Sequence, residues 1–195
     1  MGTRSLTVFV DDIDGEEIVV MYRQYDGYIE CYGKNLCEYL QSFEKVVNGM
    51  QGETTKIANG MSCLSAQAIM HMKSQITRYD YKNRVFNPKT GQMEPTLLEG
   101  KHEGGIYLYP AGTRDVGEAY IYIVKSLKKG ITLEAYLSGC KEWTFKGETR
   151  PAVPDELIHS GLVSDNWFEQ ALAKENAIHE RKASRMGSIT GELKQ

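Results

Sequence analysis

The chain has 195 residues, 41% of them hydrophobic and 25% charged, and its formal net charge is −3. These values are typical of a globular domain that buries enough surface to fold without metal or disulfide support. The small net charge argues against nucleic-acid binding by bulk electrostatic attraction. The sequence shows no signal peptide and no run of the ~20 apolar residues that a membrane span needs, which predicts a cytoplasmic protein without a membrane partner.

The four cysteines show no metal-binding or redox pattern. None of Cys31, Cys37, Cys63 and Cys140 forms a Cys-x-x-Cys pair or lies at ligand spacing from a histidine. We therefore predict no metal and no cofactor, and interpret the thiols as small apolar groups in a reducing compartment.

The first part of the chain reads as a β-hairpin. Leu6, Val8 and Val10 alternate with Thr7 and Phe9, and a turn containing an Asp-Gly pair leads to a partner strand over 18–25. The turn is acidic and carries Asp11, Asp12, Asp14, Glu16 and Glu17. It lacks the pattern of a calcium loop, so we interpret it as a solvated turn or as an edge that contacts a basic protein.

Two helices are predicted after the hairpin. An apolar stripe of Leu36, Leu40, Phe43 and Val47 predicts a helix over 33–47, which Asn48-Gly49 ends. A polar connector over 51–56 precedes a second helix over 63–76, opened by 59–62.

The following segment is less regular. Residues 77–104 contain a turn at 87–91 and one short strand over 79–86, and such a long loop is typical of an insertion or a lid. Further strands are predicted over 106–109, 119–125, 131–137 and 143–146.

Together these elements predict an α+β fold. We expect an antiparallel sheet of five to six strands, with two helices inserted after the first hairpin, and a C-terminal helix. The core domain spans 1–147, a linker marked by Pro151 and Pro154 spans 148–164, the helix spans 165–182, and 183–195 is a disordered tail. The thin apolar stripe of the last helix predicts docking within the chain or onto a second copy.

Three polar segments are predicted to converge at one end of the sheet. They are 23–28, the opening of the second helix at 59–62, and 113–118. A helix N-terminus attracts anions, arginine pairs with phosphate or carboxylate, and tyrosines stack on bases. The candidate ligand-binding residues are Arg23, Tyr25, Asp26, Tyr28, Asn59, Ser62, Tyr109, Thr113, Arg114 and Asp115.

Each of these features also has a purely structural interpretation. Arg23 and Arg114 can pair with the nearby Asp26 and Asp115 to support turns, and the 59–62 polar residues can be helix caps. Cys63 at a helix N-terminus has no histidine partner in sequence, so a catalytic thiol is disfavoured.

Several strings, taken in order, resemble a family of small proteins found in phages and bacterial genomes. The strings are 3–5, 22–28, 46–49, 58–64, 104–110 and 112–118, and the resemblance covers about residues 3–137. It implies no known activity. In that family Asp-Gly-Tyr is usually followed by Pro-Glu-Gly-His-Gly, whereas here it is followed by Ile-Glu-Cys-Tyr-Gly, so no catalytic role for that histidine carries over.

These observations favour a binding protein without enzymatic activity. We expect a phage or mobile-element accessory protein that captures a small anionic ligand, such as a nucleotide signal of host defence. One alternative is an inhibitor that blocks a host protein through the acidic hairpin or the last helix. The other is a metal-dependent hydrolase or nuclease that uses Asp26, Glu30, Asp115 or Glu118.

Overall fold

The computed structural model describes residues 2–11, 13–49, 56–74, 79–97, 105–141, 143–145, 148–150 and 152–192. The strands are β1 (Ser5–Val10), β2 (Glu17–Arg23), β3 (Lys45–Val47), β4 (Ile57–Asn59), β5 (Tyr79–Asn87), β6 (Gln92–Leu97), β7 (Ile106–Tyr109), β8 (Tyr120–Leu127), β9 (Gly130–Leu137), β10 (Trp143–Phe145), β11 (Glu148–Arg150) and β12 (Glu156–Leu162). The helices are α1 (Lys34–Gln41), α2 (Gly60–Ser74) and α3 (Trp167–Glu192), and a π-helical turn, Ile29–Gly33, precedes α1.

The main sheet has six strands in the order β12-β9-β8-β1-β2-β7. Only β1 and β8 pair in parallel within it; its other neighbours are antiparallel. At one end of the sheet Ser5 of β1 lies between Arg23 of β2 and Tyr120 of β8. The predicted α+β fold, with helices inserted after the first hairpin and a C-terminal helix, is confirmed.

The first face of the sheet packs against the three helices. Phe9, Met21 and Leu133 point to this face and are fully buried together with Leu36 of α1 and Leu64 of α2. On α3 the buried Trp167 donates its indole N–H to the carbonyl oxygen of Leu133 at 2.6 Å. The C-terminal helix therefore packs against the sheet as part of the hydrophobic core.

The second face is covered by the connection between β7 and β8. β1 and β2 separate these two strands in the sheet, so residues 110–119 cross that face. Val116 of this crossing loop packs on an apolar cluster that includes Leu6, Val8 and Ile121. Burial on both faces explains why all six residues of β1 are buried.

The first predicted helix was too long. Of the predicted helix over 33–47, Gly33 ends the π-helical turn, Lys34–Gln41 form α1 and Lys45–Val47 form β3. β3 pairs in parallel with β4. The β-branched Val46 and Val47 favour a strand, and Val47 lies beside Asn59 there instead of on a helical stripe. The second helix begins at Gly60, earlier than predicted, and most of the predicted 51–56 connector lies outside the described residues.

The irregular segment contains a hairpin instead of a single strand. β5 and β6 pair with each other, and the amide of Gly91 donates to the carbonyl of Asn87 at 2.8 Å to close the turn. Residues 75–78 and 98–104, which flank the hairpin, lie outside the described residues.

The predicted linker over 148–164 was wrong. It contains β11, which pairs with β10, and β12, which is an edge strand of the main sheet beside β9. Helix α3 continues to Glu192, through most of the segment predicted to be a disordered tail. The strand expected over 143–146 is β10, but it belongs to a separate small sheet.

Candidate functional site

The three predicted segments do not converge. Arg23 lies on the helix-covered face at one end of the sheet, whereas 113–118 belong to the loop that crosses the opposite face. Near the end of α2, Lys73 donates to the carbonyl of Ile106, which lies opposite Arg23. Gly60 begins the same helix thirteen residues earlier, so Asn59 and Ser62 lie roughly 15–20 Å from Lys73 along the helix axis.

Asn59 and Ser62 have local structural contacts. The side-chain oxygen of Asn59 accepts the amide of Gly49 at 2.9 Å, so it stabilises the preceding turn. Ser62 is exposed, and its carbonyl accepts the hydroxyl of Ser65 at 2.8 Å. Neither residue contributes to a pocket with Arg23.

Arg114 is neutralised, but by Glu17 instead of the predicted Asp115. Its two terminal nitrogens lie 2.5 and 3.3 Å from the Glu17 carboxylate oxygens, and the Gly112 amide also donates to that carboxylate at 2.7 Å. Burial raises the pKa of Glu17, but these hydrogen bonds outweigh it and hold the pKa below its usual value. Asp115 pairs instead with Lys141 at 2.5 Å.

Two further candidates stabilise the crossing loop and its neighbouring strand. The Thr113 hydroxyl donates to the carbonyl of Pro110 at 2.7 Å. Tyr109 packs edge-to-face on Tyr22, with 5.7 Å between ring centres, on the second face of the sheet. The structural interpretation therefore applies to Thr113, Arg114 and Asp115, and Tyr109 lies across the sheet from the Arg23 side chain.

Arg23 differs from Arg114 because its charge has no described carboxylate partner. Arg23 ends β2 on the same face as Met21, so its side chain points towards the helices. Its Nε donates to the carbonyl of Tyr25 at 2.7 Å, and its guanidinium lies 4.9 Å from the centre of the Tyr32 ring. One terminal nitrogen is buried without a hydrogen-bond partner, and none of the described ion pairs includes this arginine.

A buried tyrosine network supports this arginine. The hydroxyl of Tyr32 bonds Thr7 at 2.6 Å, and the hydroxyl of Tyr122 donates to the carbonyl of Gly27 at 2.9 Å. Burial raises the pKa of both tyrosines, so they remain neutral. A side chain at Gly27 would lie within 2.8 Å of the Ser5 hydroxyl oxygen, so glycine permits the close approach of loop and strand.

The remaining candidates of the first segment surround the turn after β2. Tyr25 is 55% exposed, and Asp26 is exposed with a positive φ of 54°. The carbonyl of the half-buried Tyr28 accepts the amides of the π-helical turn. Of the predicted site, the structure thus groups Arg23, Tyr25, Asp26 and Tyr28.

Sequence reasoning missed Ser5 and Glu175, which lie on the helix-covered face at the same end of the sheet as Arg23. Among the described residues, the buried side-chain atoms without a hydrogen-bond partner belong to Ser5, Arg23 and Glu175. Ser5 lies between Arg23 and Tyr120, and the pKa of Tyr120 is raised mainly by burial and also by the nearby Glu175. The signal for Glu175 was its position four and eight residues after Ala171 and Trp167, which places a carboxylate on the apolar stripe of α3.

The described residues show no arrangement for nucleophilic or metal chemistry. No group of three His, Cys, Asp or Glu side chains there could hold a metal ion. The thiol of Cys63 accepts a hydrogen bond from Gln67, and His71 stacks on Tyr39 with 4.0 Å between ring centres.

Comparison of the chain with protein-family models, curated proteins and solved structures finds no match. Of the helices described, none combines the length and apolar character that a membrane crossing requires.

Proposed function

We propose that this protein is a non-catalytic binding protein that captures a small anionic ligand, of the nucleotide class, at Arg23. The observation that carries the proposal is the buried nitrogen of Arg23 without a hydrogen-bond partner, on a guanidinium with no described carboxylate beside it. Buried charges are costly unless they are paired, and guanidinium binds phosphate or carboxylate in a two-pronged geometry. An anionic ligand would supply the missing partner.

The surroundings of Arg23 support a nucleotide over a bare anion. Lys73 adds a second cation at this end of the sheet, next to the strand that pairs with β2. The exposed ring of Tyr25 and the half-buried Tyr28 offer aromatic surfaces on which a base can stack. The six candidates outside this group, from Asn59 to Asp115, have no part in the revised site.

The resemblance to phage and bacterial proteins supports a setting in host defence. In this proposal the protein acts in the bacterial cytoplasm as an accessory protein of a phage or mobile element. It sequesters a nucleotide signal in stoichiometric amount. Sequestration requires affinity without turnover, which agrees with a site built from an arginine and aromatic side chains.

Replacing Arg23 tests the proposal. The purified wild type, Arg23→Met and Arg114→Met are denatured, and the small molecules released are identified by mass spectrometry. Each protein is also titrated with AMP and with inorganic phosphate by calorimetry. We expect Arg23→Met to lose at least about tenfold in affinity, since a hydrogen-bonded charge pair contributes about 1.5–3 kcal/mol. Arg114→Met keeps the affinity because Glu17 already occupies that guanidinium.

The melting temperatures of the same variants show whether a loss of affinity is caused by a binding defect or by misfolding. Arg23→Met loses the hydrogen bond to the Tyr25 carbonyl, but it also removes a charge without a described carboxylate and keeps an aliphatic side chain beside Tyr32, so its stability stays within about 1 kcal/mol of the wild type. Equal affinity in the wild type and Arg23→Met would overturn the site. Consumption of AMP beyond one equivalent would overturn the non-catalytic function.

A further inference from the structure

The strand β12 forms an open edge of the main sheet, far from Arg23. It pairs on one side with β9, and no other described strand lies on its outer side. The amide of Val163 donates to the carbonyl of Ile131 at 3.1 Å, so Val163 and Ile131 form a hydrogen-bonded pair of the β12–β9 ladder. This pair shows which residues of β12 direct their backbone groups towards β9 and which direct them away. In an antiparallel pair every second residue then faces away from the neighbour, so Ser160 and Leu162 direct their backbone groups outwards.

These outward groups can receive another strand. The carbonyl of Leu162 already accepts the amide of Asp165 at 3.2 Å, whereas the amide of Leu162 and both backbone groups of Ser160 have no backbone partner among the described residues. An exposed edge with such groups is a template for an added strand. Three main-chain hydrogen bonds are thus available to an extended peptide.

A groove runs beside the first half of this edge. A cavity of about 380 Å³ lies between β12 and α3, with Leu157, Ile158 and Ile178 among its apolar lining residues. Leu157 is 50% exposed. A groove between an edge strand and a helix receives alternate side chains of a peptide that extends the sheet.

Three charged residues line the groove, Glu156, Lys174 and Arg181, so its cations outnumber its carboxylate. Lys174 and Arg181 line it, and the adjacent Lys182 also lies beside Glu156. The single carboxylate of Glu156 is shared by Arg181 and Lys182, so it compensates only one of these two cations. Lys174 contacts the neutral acceptor Nδ1 of His159 at 3.0 Å, and desolvation together with this lysine lowers the pKa of that histidine. The groove therefore carries positive charge that Glu156 does not compensate and that an acidic partner could neutralise.

We propose that the β12–α3 groove binds an extended acidic segment of a partner protein, which adds to β12 as a further strand. The backbone groups of Ser160 and Leu162 supply affinity, the apolar residues of the groove accept alternate side chains, and the lysine and arginine select acidic residues. This surface lies at the opposite edge of the sheet from β2 and is independent of the anion site at Arg23.

An eight-residue peptide of alternating valine and glutamate, labelled with fluorescein, tests this inference on the full chain. Fluorescence anisotropy gives its affinity, and backbone NMR of the labelled protein gives its position. We expect binding that shifts the amides of Ser160 and Leu162 and slows their hydrogen exchange. The same peptide with lysine in place of glutamate should bind at least tenfold more weakly.

Two pairs of variants separate the contributions of backbone and charge. Ser160→Pro removes an outward N–H without breaking the ladder to β9, whereas the matched Ser160→Ala keeps that N–H. We expect at least a tenfold loss for proline and no loss for alanine. Lys174→Gln with Arg181→Gln should weaken the acidic peptide, and Lys128→Gln with Lys129→Gln, in the β8–β9 turn, should not.

Three results would overturn the inference: equal binding of the acidic and basic peptides, shifts that map away from β12, or no binding at 1 mM peptide. Size-exclusion chromatography adds a fourth. A dimer in which the amide of Ser160 is already protected would assign this edge to a second copy of the chain.

Discussion

At the level of single residues, Arg114 and Arg23 differ in whether a carboxylate lies beside the guanidinium. Arg114 has its charge compensated by Glu17, with both side chains less than one-third exposed, and the pair anchors the crossing loop to β2. Arg23 has only a backbone carbonyl and an aromatic ring as described partners. The first arginine therefore contributes to stability, whereas the charge of the second is not compensated by any described carboxylate.

The Glu17–Arg114 pair predicts a specific acid sensitivity. The pKa of Glu17 is lower in the folded chain than its usual value, so its stabilising effect is complete above the unfolded pKa, about 4.3, and is lost as the pH falls through the folded pKa. We expect Glu17→Gln to cost about 1 kcal/mol in free energy of unfolding at pH 7 and clearly less at pH 3. Urea denaturation at both pH values measures this. Glu16→Gln, at an exposed position, is the control, and an equal cost at both pH values would contradict the pairing.

The cysteines are predicted to differ in reactivity. Cys37 is buried, and burial is the main reason that its pKa is raised to about 12, so almost none of it is thiolate at pH 8. Cys140 is exposed. We expect iodoacetamide at pH 8 to label Cys140 within minutes and Cys37 only after urea is added, as peptide mass spectrometry reports. Labelling of both at similar rates in the native protein would contradict the burial of Cys37.

At the level of elements, local patterns predicted most of the main sheet, but not what depends on distant partners. The alternation at Leu6, Val8 and Val10 identified β1 because one face of that strand is apolar. The same logic missed β12, whose His159 and Gly161 interrupt any simple alternation and whose edge position depends on pairing with β9. The spacing of Val47 from Phe43 and Leu40 fits a helix, and this led to the prediction of a helix that is too long. In the structure Val47 belongs to β3, because tertiary pairing with β4 overrides the local spacing.

The candidate site was only partly predictable for the same reason. Arg23 and the residues just after it are consecutive, so their proximity follows from the sequence alone. The partner of Arg114 lies 97 residues away in the chain, and no spacing rule connects Glu17 to it. The position of Glu175 near Tyr120 likewise depends on how α3 packs over the sheet.

The docking of α3 depends on the indole of Trp167. Its N–H donates to the carbonyl of Leu133 inside the core, so Trp167→Phe keeps an aromatic ring but removes this hydrogen bond and part of the buried ring volume. We expect Trp167→Phe to lose about 1–3 kcal/mol and Trp167→Ala about 3–5 kcal/mol in chemical denaturation. A phenylalanine variant as stable as the wild type would show that the hydrogen bond contributes nothing.

At the level of the whole molecule, the sheet separates the proposed ligand site from the proposed protein-binding edge. Arg23 lies in β2, next to one edge strand, and the acidic-peptide groove follows the other edge strand, with β9, β8 and β1 between them. Variants at one surface should therefore leave binding at the other unchanged, because distant sites without shared partners usually behave additively.

Truncation tests whether the C-terminal part belongs to the core. A chain ending at residue 147 lacks β12 and α3, and with them the buried Ile158, Val163 and Trp167, each of which contributes about 1.5–3 kcal/mol of apolar burial. Their sum is comparable with the 5–15 kcal/mol that stabilises a typical domain, and Leu133 would also be uncovered. We expect residues 1–147 to show no cooperative unfolding by circular dichroism. A chain ending at residue 184 keeps the ion pairs of Glu156 with α3 and should melt like the full chain. A cooperative melt of 1–147 at the wild-type temperature would instead support an independent core domain, as the sequence alone suggested.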